Sequence, residues 1–166
     1  MEVQKTAFKY GSITGVALII YFLLLALVDL HQQPALSVVN VLITGTGIYL
    51  AIQKLKRIVK EEFRYQFGFA TGIVTGFTAT VIFTIFSIVY ITELNPDFTQ
   101  TFMTKWEFDW FAGNGMLLLT IFLMGLATTV VLTLAFMQLF KDSWNTTEGS
   151  KHTLSKHNNV KNKKQI

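Results

Sequence analysis

Asp29 and His31, two residues apart, are the nearest thing in this chain to a chemical pair. An aspartate beside a histidine is the elementary acid–base couple, in which the carboxylate orients an imidazole that exchanges a proton. Nothing joins it to a reaction, however. The chain has no cysteine, and it contains no serine elbow, no phosphate-cradling glycine loop and no zinc spacing. His152 and His157 are five apart and do not share a helical face, so they make no metal site. Asn40 and Asn114 are the remaining polar candidates. With Asp29 and His31 they form a candidate polar cluster able to hydrogen-bond a headgroup or solute. The plainer expectation for the two asparagines is hydrogen bonding to neighbouring helices. No catalytic residue, cofactor or metal is therefore expected.

The elements that must position these residues follow from the distribution of charge. Only 14% of the 166 residues are charged, against about 25% in an average soluble domain. Lys9 to Asp29 encloses 19 residues without Asp, Glu, Lys, Arg or His; His31 to Lys54 encloses 22, Arg64 to Glu93 28, and Asp109 to Lys141 31. About 20 residues in a helix cross the hydrocarbon core of a bilayer. The fold class expected is all-α and integral to the membrane. Four helices, at about 10–28, 35–53, 66–92 and 112–140, form two antiparallel hairpins within a domain of residues 1–141. Valine, isoleucine, threonine and phenylalanine are common in these runs and would favour strands in water. In lipid the backbone must satisfy its own hydrogen bonds, which imposes helix. Residues 142–166 are polar and lysine-rich and read as a disordered, basic, cytoplasmic tail. "NTT" at Asn145 matches a glycosylation acceptor, but the cytoplasmic side denies it that use.

Thirteen of the fourteen Lys and Arg residues precede the first run, follow the fourth, or lie between the second and third; Lys105 is the exception. The positive-inside rule then places both termini in the cytoplasm and the protein in the inner membrane, multi-pass. The first run has a basic start and a small-residue stretch at Ala26-Leu27-Val28, but it is longer than a cleaved signal's apolar region, so it is read as retained. The net charge is +4, and five of the cations form one block at Lys54, Lys56, Arg57, Lys60 and Arg64. With apolar residues interleaved, this block suits anionic lipid headgroups rather than nucleic acid.

Outside the membrane, Phe98, Phe102, Trp106 and Trp110 recur every four residues and would line one face of a short interfacial helix. Trp106 to Trp110 also alternates as a strand would. The expected role is an aromatic belt, with a docking surface as the alternative. Glycines mark the third run at Gly68, Gly72 and Gly76 and the first at Gly11 and Gly15. Small residues four apart let helix backbones approach closely in lipid. Packing inside one bundle is the preferred use and dimerisation the alternative. Gly45, Gly47 and Gly125 are able to serve the same end.

Several short stretches resemble domain-of-unknown-function family 4199. They are Phe8-Lys9-Tyr10-Gly11 with Gly15, the basic block, Tyr65-Gln66-Phe67-Gly68-Phe69 with Gly72, and Tyr90 with Asn95-Pro96-Asp97-Phe98. The resemblance runs from Phe8 to Phe140, and the last helix, "GLATTVVLTLAFMQLF", departs most from it. It implies a small four-span inner-membrane protein of the kind found mainly in Bacteroidota. It supplies no activity and no functional residue. The function expected is a non-enzymatic interaction or membrane-organising module in contact with the lipid bilayer, with a homo-oligomer or another membrane protein as possible partner. An oligomeric small-solute transporter or channel subunit is one alternative and a lipid-acting membrane enzyme another. The absence of ionisable residues inside the runs weighs against proton-coupled pumping.

Overall fold

The computed structural model describes residues 2–28, 36–59, 64–95, 98 and 113–140. Asp29, His31, Lys60, Phe102, Trp106, Trp110 and the 142–166 tail lie outside the described residues. Four helices make up the fold, α1 (Glu2–Leu27), α2 (Ser37–Val59), α3 (Tyr65–Val89) and α4 (Asn114–Leu139), and no strand occurs among the described residues. Each is long and apolar enough to cross a bilayer, which makes this a multi-pass membrane protein. Even the shortest, α2 with 23 residues, rises about 35 Å at ~1.5 Å per residue. Large apolar side chains such as Leu24, Leu42, Met124 and Val131 are exposed. In water such a surface would drive aggregation; in lipid it is the solvated face.

The helices alternate in direction, and α3 touches all three others. α1 and α3 run parallel and pack most extensively. Lipid gives helices little hydrophobic reason to associate, so close backbone approach must supply the contact energy. The glycines provide it. A Cβ built on Gly11 would stand 2.7 Å from the Thr75 carbonyl oxygen and 2.7 Å from Thr78 Cβ. One turn earlier, the Thr75 hydroxyl donates across the interface to the Ala7 carbonyl at 3.3 Å. Gly15 faces Ile82, and Gly47 of α2 faces Thr14 of α1.

Between α3 and α4 the same device repeats in register. Gly72 lies against Thr133, Gly76 against Thr129, and Thr80 against Gly125. Each step advances four residues up one helix and four down the other, so the glycine and threonine exchange sides once along the ladder. The Thr133 Oγ1 is buried without a hydrogen-bond partner, whereas the Thr129 hydroxyl bonds back to the Gly125 carbonyl, four residues earlier, at 2.8 Å. That leaves a compact methyl to fill the notch above the glycine.

Two apolar clusters fill the ends. Near the Lys- and Arg-bearing end, Ile48, Ile52 and Met137 are buried, flanked by Leu132, Phe136 and Phe140. At the opposite end Phe22 meets Phe83, Phe86, Tyr90 and Phe98 edge-on, with ring centroids 4.9–6.3 Å apart. A π turn over Tyr90–Leu94 closes α3 there, with the Asn95 N–H donating to the Tyr90 carbonyl at 2.8 Å. Continued α-helix would keep Leu94 on the buried face of Tyr90 and Ile91. The wider turn rotates it out to 63% exposure, and Phe98 fills the core position, 7% exposed.

Candidate functional site

α2 and α4 are packed together near the basic end and apart at the other. A Cβ built on Gly45 would stand 3.6–3.7 Å from Phe136 and Leu132. Tyr49 stacks on Phe140 with centroids 5.5 Å apart, and Lys56 Nζ lies 5.8 Å over the same ring. Towards the start of α2 the two helices leave a cleft, floored by α3 and backed by α1. It has two lobes, of about 170 Å³ and 250 Å³. The first is lined by Tyr21, Phe22, Ser87, Tyr90 and Leu117, and the second by Leu18, Thr44, Thr80, Met124 and Thr128. Ser37, Asn40, Phe83 and Ile121 belong to both and join them. The Tyr21 hydroxyl donates to the Leu36 carbonyl at 2.9 Å and pins the first turn of α2 beside the cleft.

Asn40 is the distinctive group. Its Oδ1 is buried and has no hydrogen-bond partner. An orphaned buried acceptor costs about 1–3 kcal/mol. Asn40→Leu is therefore expected to stabilise the delipidated protein by roughly 1 kcal/mol, read as a rise in the temperature at which it leaves the monodisperse state in detergent. A fall would show that the amide already makes the contact the helix needs.

Among the described residues no Asp, Glu, Lys, Arg or His lines the cleft. Tyr21 and Tyr90 bring phenol hydroxyls to the first lobe. The arrangement can donate and accept hydrogen bonds, and it can solvate an apolar chain.

The structure separates the sequence candidates. Asn114 is exposed at the first turn of α4 and lines neither lobe; Asp29 and His31 lie outside the described residues. Phe98 packs inward, whereas Phe102, Trp106 and Trp110 are outside the description. Gly68 is buried along with Gly11, Gly15, Gly72 and Gly76. Lys54, Arg57 and Arg64 are exposed at one end of the bundle, with Lys56 half-buried beside them; Lys60 is not described. Sequence reasoning missed Thr80, Phe83 and Thr128 as cleft residues. A signal for the α2 wall was present: Ser37, Asn40 and Thr44 are spaced three and four apart, on one helical face.

Comparison with known proteins gives one family, described as "Protein of unknown function (DUF4199)", which matches residues 9–109. That stretch takes in most of α1, all of α2 and α3, and stops before α4. No curated protein and no solved structure matches the chain.

Proposed function

The chain belongs to the DUF4199 family, and from that premise we propose that it is a non-enzymatic, membrane-organising interaction module of the inner membrane, with both termini in the cytoplasm. The observation that carries this reading is the lining of the cleft: among the described residues it consists of hydrogen-bonding groups and apolar walls, with no acid or base. Orientation rests on the cation count, since Lys5, Lys9, Lys54, Arg57 and Arg64 gather at one end of the alternating bundle. There they meet anionic headgroups, while the opposite end presents the cleft to the outer leaflet. The alternative of a transport or channel subunit has less support. The cleft's lining ends at Thr44, Thr80 and Thr128, and Ile48, Ile52 and Met137, all 0–1% exposed, pack together nearer the basic end.

The basic end is tested by lipid retention. Lys54→Glu, Arg57→Glu and Arg64→Glu together are expected to abolish enrichment of phosphatidylglycerol over phosphatidylcholine in the lipid that co-purifies. Each cation contributes about 1 kcal/mol near an anionic surface, so the triple reversal should lower the enrichment at least about tenfold. Unchanged enrichment would remove headgroup contact from the proposal.

A further inference from the structure

The cleft's depth, lining and opening fit one kind of guest. From Ile91 to Thr80, which line its two lobes, α3 rises about 16 Å at ~1.5 Å per residue. That is roughly half of a ~30 Å hydrocarbon core, the depth of one leaflet. The lobes, at 170 Å³ and 250 Å³, each exceed the ~150 Å³ cavity that takes a benzene-sized molecule. Val41 of α2 and Met124 of α4 line the deeper lobe and are 39% and 67% exposed. The mouth therefore opens sideways between α2 and α4, at a depth where the surroundings are acyl chains. Asn40, four residues into α2, stands towards the membrane surface with an acceptor that lacks a donor. The deeper lobe is walled by Leu18, Ile121 and Met124 together with Thr44, Thr80 and Thr128. An unpartnered acceptor near the surface with a largely apolar wall below it matches the orientation of a lipid in the leaflet. Among the described residues no cationic side chain lines the cleft to neutralise a phosphate.

We infer that the cleft binds a neutral lipid from the surrounding leaflet, its chain along Leu18, Ile121 and Met124 and a hydroxyl at its polar end donating to Asn40 Oδ1. This deepens, and rests on, the reading of the protein as a non-enzymatic module. A hydroxyl supplies the donor that Oδ1 lacks, and the lateral mouth lets the lipid enter without leaving the bilayer. Specificity follows from the orphaned acceptor: a lipid without a donor leaves it unsatisfied, and an anionic one brings an unpaired charge into the cleft.

The test uses the full chain in phosphatidylcholine nanodiscs with a diacylglycerol carrying a photoactivatable diazirine in its acyl chain. Labelled peptides are mapped by mass spectrometry. The expected result is labelling at Val41 and Met124 well above that at the outward-facing Val131. Capping the probe's hydroxyl as a methyl ether, or the substitution Asn40→Leu, should lower cleft labelling roughly three- to tenfold, the effect of one hydrogen bond. Thr128→Phe should block the deeper lobe and abolish labelling there. The capped-probe arm uses the unaltered protein, so it holds even if a variant misfolds. Equal labelling by the capped probe or by a phosphatidylglycerol probe, or cleft labelling no higher than that of Val131, would overturn the lipid assignment alone. A recovered probe with altered mass would instead overturn the non-enzymatic reading, whatever the labelling pattern.

Discussion

Gly11→Val should detach α1 from α3 and leave little of the protein in its native bundle. The reason is the identity of the atoms the new side chain would meet. At 2.7 Å from Gly11's missing Cβ stand a backbone oxygen, that of Thr75, and the Cβ of Thr78. Neither is the tip of a side chain that can rotate away, so the two backbones must separate. Separation also breaks the Thr75 to Ala7 hydrogen bond one turn away and opens the Gly15–Ile82 contact. Overpacking of a close-packed site costs on the order of 3 kcal/mol, enough to dominate a marginal stability. Gly115→Val is the control, because a Cβ there meets nothing within 4 Å. The measurement is the fraction of protein that stays monodisperse after graded heating in mild detergent. Wild type and Gly115→Val should coincide and Gly11→Val should fall away early. Coincidence of all three would show that α1 and α3 do not meet at Gly11.

The second large effect concerns the register of α3 against α4. Gly76→Thr places a Cβ 2.8 Å from Thr129 Cβ and should cost roughly 1–3 kcal/mol. Thr129→Gly removes the methyl that fills the notch and adds a helix glycine, about 1 kcal/mol. Combined, the two substitutions exchange glycine and threonine across the same contact, which is what the ladder already does between Gly76–Thr129 and Thr80–Gly125. The double variant should therefore be more stable than Gly76→Thr alone, with a coupling of about 1 kcal/mol or more. Strict additivity in the same heating assay would mean that these two residues are not opposed.

The sequence discloses the four helices because lipid allows so few alternatives. A long run such as Tyr65 to Thr92, without a charge, has to be helical whatever its β-branched content. Gly72 and Gly76 are legible as one face of α3, since four residues make about one turn. Their partners are not legible: nothing local to Thr129 and Thr133 marks them as opposite, because that depends on the relative height of two helices far apart in sequence. Asn40 is visible as a polar residue in an apolar run. The cleft around it is not, because it arises where α2 diverges from α4 after Gly45 and Tyr49 hold them together. The turn at Tyr90–Leu94 is equally silent in the sequence, where Leu94 continues the buried face of Ile91. Only the widened turn explains why Phe98 takes its place.

Both the headgroup contact and the lipid cleft depend on a bundle that crosses the bilayer four times with its basic end in the cytoplasm. The chain has no cysteine, so single introduced thiols report on sidedness without background. Gln4→Cys and Ile58→Cys mark the basic end, and Leu94→Cys and Gly115→Cys the other; all four positions are exposed. With a membrane-impermeant maleimide on intact spheroplasts, Leu94→Cys and Gly115→Cys should be labelled at once, and Gln4→Cys and Ile58→Cys only after permeabilisation. Labelling of Ile58→Cys in intact spheroplasts, or of Leu94→Cys only in permeabilised ones, would contradict the account.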